Sequence, residues 1–136
     1  MTINEIQDKI IAEMSQLDDW FDVYEYLIEL GKSHPAMDES LKTQENALPG
    51  CQSKVWLITD KHNSTLHFSA DSDSAIVKGL LALLLKVLND QSPSEIASAD
   101  LYFTEKIGLT SNLSPSRANG LATIISQIKE HARAHS

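Results

Sequence analysis

Apolar residues at Ile3, Ile6, Ile10, Met14 and Leu17 recur at the spacing of one helix face. They follow Thr2-Ile3-Asn4-Glu5, where Thr2 can cap the first turn and Glu5 can reach back to it. A second helix is predicted from near Asp18-Asp19 to Gly31, presenting Phe21, Tyr24, Leu27, Ile28 and Leu30. Ser33–Leu41 contains Pro35 and reads as a loop or short turns. The period then changes from helical to alternating. Val55–Thr59 is β-branched and aromatic, Lys61–Ser64 is polar, and Leu66, Phe68 and Ala70 alternate with His67 and Ser69. This predicts a β-hairpin in which Asn63 takes the positive-φ position of the turn. Asn46–Leu48 is expected to add a third short strand.

Ser72 or Asp73 can cap the next helix, "SAIVKGLLALLLKVLND", which is apolar on nearly every face apart from Lys78 and Lys86. A helix apolar all round is buried, so this one is expected at the centre of the core. Ser92-Pro93 and Ser114-Pro115 each place proline one residue after a good cap and predict two further helices. The last runs to about Ala132, with Leu121, Ile124, Ile125 and Ile128 as its buried stripe. The order ααβββααα predicts an α+β single domain over 1–136, with a small antiparallel three-stranded sheet packed against helices.

The chain has 136 residues, 42% of them hydrophobic, which suits one folded core. The longest apolar run, Gly79–Leu85, is far short of the roughly 20 residues of a membrane span, and the N-terminus lacks the basic and apolar regions of a signal peptide. A single cysteine cannot form an internal disulfide. These features predict a cytoplasmic protein without membrane partners. The net charge of −8 resides entirely in residues 1–50, which hold 11 acidic residues and three lysines. Such a chain repels phosphate backbones, so nucleic acid is not an expected partner. The acidic half reads as a solvated helix face or as a docking surface for a basic protein.

Few patterns carry chemistry. The one cysteine and five histidines show no CxxC or HExxH spacing, Asp71-Ser72-Asp73 lacks the rest of a calcium loop, and no Gly-rich phosphate loop occurs. No bound metal or cofactor is expected. Cys51 stands apart, because it follows Pro49-Gly50 at a turn and precedes the polar Gln52, Ser53 and Lys54. It reads either as a small buried hydrophobe or as a reactive thiol on a shaped loop, where Lys54 would favour the thiolate. A hydrolytic thiol would need a histidine base, with His67 as a candidate; a dithiol mechanism lacks its second cysteine. A lone thiol can still exchange sulfur with another protein.

"PGCQSKVWL" at Pro49–Leu57, "DSDSAIVKGLLALLL" at Asp71–Leu85 and "LSPSRANGL" at Leu113–Leu121 occur in this order, preceded by "DDWFDVYEYLIELGKSHP" at Asp18–Pro35. Together they resemble the SufE family of cysteine desulfuration proteins, which is related to CsdE-type acceptors. The resemblance implies the fold shared with IscU-type scaffolds, without scaffold function, since the additional ligating cysteines are missing. It implies a sulfur acceptor that is not a stand-alone enzyme. Its partners would be a SufS-type cysteine desulfurase, which carries the pyridoxal phosphate, and a SufBCD-type scaffold complex for iron–sulfur cluster assembly.

Residue by residue, Cys51 matches the persulfide acceptor, with Gly50, Gln52 and Ser53 as its loop. Asp73 matches the aspartate beside that loop, and Arg117 matches the arginine of "SPSR". Helix capping is the competing role for Asp73, and core packing is expected for Trp56 and Phe68. Alternatives are an adaptor that activates a desulfurase without carrying sulfur, and a CsdE-type acceptor serving another sulfur pathway. Whether free chains pair as a weak homodimer is left open.

Overall fold

The computed structural model of the chain describes residues 1–50 and 53–135. Helix α1 spans Ile3–Met14 and α2 spans Trp20–Ser33, followed by one 3-10 turn at Glu39–Leu41. Strands β1 (Val55–His62) and β2 (Thr65–Ser72) form an antiparallel hairpin. Helices α3 (Ala75–Leu88), α4 (Pro93–Ser98), α5 (Phe103–Lys106), α6 (Leu109–Asn112) and α7 (Pro115–Ala134) complete an α+β arrangement. No helix among the described residues is long and apolar enough to cross a membrane.

The sheet has two strands among the described residues, not the expected three. Asn46–Leu48 does reach β1: Leu48 N–H donates to Val55 O and Leu57 N–H to Asn46 O, both at 2.8 Å. The contact ends as an isolated bridge between Ala47 and Trp56. Pro49 has no N–H with which to continue a ladder, and Gly50, at φ 80°, sits in the left-handed region that favours glycine.

Helix α3 is the centre of the core, with ten of its 14 residues buried. Helix α2 lies directly on it through two glycines. A Cβ added at Gly79 would stand 2.1 Å from Leu27 O, and one at Gly31 would stand 2.9 Å from Gly79 N. Gly31 is therefore a packing contact inside α2 rather than the residue that ends it. This contact sets the phase of α2: Val23, Leu27 and Gly31 turn inward, and Phe21, expected on the buried face, is 66% exposed.

The hairpin register pairs Val55 with Ser72 and runs to His62 with Thr65, with Asn63 at φ 57° in the turn, as predicted. Strand alternation directs Leu57, Leu66, Phe68 and Ala70 into the core. Trp56, expected in the core, belongs to the opposite face and is half-buried under the Lys42 ammonium, 5.3 Å from its ring centroid.

The two short helices α5 and α6 were not visible in the periodicity, because four residues make barely one turn. The fully buried Gln7 side chain ties this region to α1. Its Nε2 donates to Asp100 O at 3.1 Å, and its Oε1 accepts from Phe103 N–H at 3.1 Å.

Candidate functional site

Of the candidate residues, Gly50, Ser53 and Asp73 lie at the end of the hairpin where β1 begins and β2 ends. Cys51 and Gln52 lie outside the described residues; their neighbours Gly50 and Ser53 are described. On the entry side, the Leu48–Val55 hydrogen bond holds the chain against β1. On the exit side, Lys54 is held at both backbone groups. Its N–H donates to Asp73 Oδ1 at 3.0 Å, while its carbonyl accepts from Ser72 Oγ at 2.7 Å and from Asp73 N–H at 3.3 Å. Only the five residues 49–53 separate Leu48 from Lys54.

These contacts decide how α3 is capped. With Asp73 and Ser72 both engaged by Lys54, the cap falls to Ser74, whose Oγ faces Val77 N–H at 3.5 Å. Sequence alone offered Ser72 or Asp73 for that role. Asp73 instead connects the start of α3 to the chain that follows Cys51.

A cavity of about 340 Å³ opens beside this loop, between β1, α3 and α7. Its floor is apolar, from Val55, Val77, Leu80, Leu121 and Ile124, and its rim is polar, from Ser53, Ser114, Ser116 and Arg117. A Cβ built on Gly50 would lie 3.5 Å from Thr123 Cγ2, so the entry side of the loop also lies near α7. Ser53 and Arg117 are thus brought to one cavity, with Gly50 near its α7 wall. Asp73 is joined to them through Lys54. Arg117 is exposed in the first turn of α7, where its charge opposes the helix dipole. Among the described residues, neither Arg117 nor Lys54 has an ion-pair partner.

One group that sequence reasoning missed lies just behind the loop. Asp71 is 1% exposed. Its Oδ2 accepts from Met37 N–H at 3.1 Å and lies 3.4 Å from Lys42 Nζ. Its Oδ1 accepts from Ser72 N–H at 2.8 Å and lies 3.6 Å from Lys78 Nζ. Burial alone would raise the pKa of this carboxyl. The two backbone donors and the two lysines outweigh it and hold the pKa below the usual aspartate value. The sequence held one hint, an aspartate on a hairpin strand two residues before Asp73, but not its partners Lys42 and Met37, which lie 29 and 34 positions earlier in the chain.

His67 does not join this group. It pairs with Asp60 in the register, five residues along β2 from Ser72, or about 17 Å at strand rise. Its imidazole lies 3.3 Å from Asp90. Among the described residues, no group of three or more His, Cys, Asp or Glu could hold a metal ion.

A family model for the SufE Fe–S metabolism associated domain matches residues 8–132. The chain belongs to the SufE family. It is 44% identical over 131 residues to an uncharacterized SufE-like protein of Rhizobium etli, covering 93% of this chain and 88% of that relative. It is 45% identical over 130 residues to an uncharacterized SufE-like protein of Rhizobium meliloti, covering 92% and 93% respectively. The fold is similar to the solution structure of a hypothetical protein from Thermus thermophilus, with a TM-score of 0.76, 17% identity and coverage of 95% of this chain and 94% of that one. SufE membership places the chain in iron–sulfur metabolism and sulfur transfer, as an accessory domain. The cavity, Ser53, Asp73 and Arg117 all lie within the matched residues, as does Cys51.

Proposed function

We propose that this SufE-family chain accepts persulfide sulfur on Cys51 from a SufS-type, pyridoxal-phosphate-dependent cysteine desulfurase in the cytoplasm. It stimulates that enzyme and passes the sulfur to a SufBCD-type scaffold for iron–sulfur cluster assembly. Family membership over residues 8–132 is the observation that carries this reading. The supporting feature is that the chain's single thiol falls between Gly50 and Ser53, two residues tied to the same cavity region.

The exchange balances without an external oxidant. The Cys51 thiolate attacks the terminal sulfur of the desulfurase persulfide, a new S–S bond forms, and the bond to the desulfurase cysteine breaks. That cysteine leaves as a thiolate, and Cys51 now carries the transferred sulfur. Attack by a downstream cysteine thiolate on that sulfur repeats the step and regenerates Cys51. Pyridoxal phosphate belongs to the desulfurase, and this chain needs no cofactor of its own for either step.

The residues around the loop suit these demands. The apolar floor of the cavity can shelter a terminal sulfur from water and small thiols, which limits oxidation of a reactive sulfur species. Lys54, three residues after Cys51, and Arg117, on the cavity that Ser53 also lines, supply positive charge that favours an anionic nucleophile. Asp73 fixes the exit of the loop through Lys54 N–H.

Intact-mass measurement tests the reading. With desulfurase and free cysteine, the chain should gain about 32 Da, one sulfur, reversible by a reductant. Cys51→Ser should bind the desulfurase and gain nothing, because a serine hydroxyl is not ionised near neutral pH. Full stimulation of sulfide release by Cys51→Ser, with no added mass on the parent, would make the protein an adaptor instead.

A further inference from the structure

The chain that enters the cysteine loop is held by an ion pair between the partly exposed Lys42 and the buried Asp71 carboxylate. After α2, the chain first runs beside β2, at His34 and Met37, and then reaches Trp56 of β1, at Lys42 and Ala47. His34 Nε2 lies 2.8 Å from Ala70 O, and Met37 N–H donates to Asp71 Oδ2 at 3.1 Å. The Lys42 ammonium then lies between the Asp71 carboxylate at 3.4 Å and the Trp56 ring at 5.3 Å. Five residues later, Ala47 makes the isolated bridge to Trp56, and the chain continues through Leu48, Pro49 and Gly50 to Cys51. Asp71 and Trp56 face one another across the hairpin register. Asp71, Lys42, Trp56 and Ala47 therefore form one linked group that joins the end of β2 to the segment entering the loop.

Burying an ionised carboxylate is costly unless its lone pairs are satisfied, and here each oxygen has a backbone donor and a lysine. The α3–α2 core does not need this carboxylate, since those helices meet through Gly31, Leu27 and Gly79. What Asp71 does hold is the otherwise irregular segment before the loop, just as Ser72 and Asp73 hold Lys54 after it. Three successive residues, the last two of β2 and Asp73 after it, thus fasten both sides of 49–53.

We propose that Asp71, acting through Lys42 and Met37, is a positioning residue for the Cys51 thiol. It fixes where the entry segment delivers the cysteine, without touching the sulfur itself. This rests on the sulfur-carrier reading, and it assigns to the Asp71–Lys42 ion pair the orientation of the nucleophile rather than simple stability. Exchange at sulfur requires an aligned approach, so a loosened entry segment lowers the turnover of transfer more than it lowers docking, which uses a broader surface.

The test uses Lys42→Met and Asp71→Asn in the full chain, with Lys42→Arg as the conservative variant. Lys42→Met leaves Asp71 with Lys78 and both backbone donors, so it retains the fold even where Asp71→Asn does not. Two quantities are read: alkylation of Cys51 by iodoacetamide in the free chain, and kcat and KM for sulfur uptake with the desulfurase. Alkylation should rise and kcat should fall by roughly fivefold each, the factor that corresponds to about 1 kcal/mol of lost anchoring, with KM near the parent value. Lys42→Arg, which keeps a cation over Trp56 and beside Asp71, should restore both. Parent-like alkylation and kcat in Lys42→Met, with only a lower melting temperature, would overturn the proposal and leave the pair a purely structural role. The alkylation measurement needs no partner, so it decides the role of Asp71 even if the parent chain takes up no sulfur and the carrier reading falls.

Discussion

At Gly79 the absence of a side chain decides how two helices meet. The Leu27 carbonyl occupies the space that a Cβ would need, at 2.1 Å, and backbone cannot swing aside as a side-chain tip can. Gly79→Ala should therefore destabilise the protein by at least about 2 kcal/mol, the scale of overpacking in a close-packed core. Gly120 in α7 has nothing within 4 Å of its virtual Cβ. There Gly120→Ala should stabilise by about 0.5–1 kcal/mol, through the helical preference of alanine. Urea denaturation of both variants checks the pair, and effects of the same sign would refute the close-approach argument. Gly79 also accounts for the one departure from the expected face of α2, since Leu27 is buried and Tyr24, Ile28 and Leu30 pack against the core while Phe21 does not. Phe21 is apolar and helically spaced, yet the glycine contact rotates α2 so that Phe21 faces solvent. Hydrophobic spacing proposes a face, and a close backbone contact with another helix can overrule it.

At the scale of elements, α7 is fastened to the hairpin at its far end. His131 Nδ1 lies 2.8 Å from Thr59 Oγ1, and Lys61 Nζ donates to His135 O at 3.1 Å. Burial, and secondarily the charge of His135, depresses the His131 pKa below its ordinary 6.5. The unfolded chain then binds more protons than the native one between the depressed value and 6.5. The stabilising contribution is complete above 6.5 and is lost as pH falls through that window. Between about pH 7.5 and about pH 5.5 the parent should lose more melting temperature than His131→Gln, which cannot take up that proton. Equal losses in thermal scans would show that the His131 site is not proton-linked to folding. The main elements were legible because each carries its own local signal: the Thr2–Glu5 capping box of α1, the alternation of the hairpin, the unbroken apolar run of α3 and the Ser114-Pro115 start of α7. The third strand failed where the local signal was weakest, since two hydrogen bonds followed by proline do not extend a ladder. Asp73 is named only through the resemblance, and its hold on Lys54 is not readable, because nothing local links positions 54 and 73. The Asp71–Lys42 pair was hidden for the same reason.

Across the whole molecule, charge and site are separated along the sequence. Residues 1–50, which build α1, α2 and the segment entering the loop, carry the full net charge of −8. The remainder is neutral and supplies the cavity and the cations Lys54 and Arg117 beside the cysteine loop. Many of the acidic side chains are exposed on α1, in the turn that leads into α2 and in the first half of α2, among them Glu5, Glu13, Asp18, Asp19 and Glu25. Scattered pairs such as Glu29–Lys32 and Glu39–Lys42 neutralise only part of this field. A field of one sign over two helices acts at longer range than any single contact, so it should speed encounter with a partner whose surface is basic there. The association rate with the desulfurase should then fall as salt rises and the Debye length shrinks toward about 8 Å, while the dissociation rate changes little. Neutralising Asp18, Asp19 and Glu25 together, all exposed and remote in sequence from the loop, should flatten that salt dependence and leave sulfur uptake at saturating partner unchanged. Stopped-flow association at several salt concentrations measures both effects. A parent on-rate that ignores salt would mean that the acidic half is only a solvated surface, and that docking relies on the neutral half around Cys51.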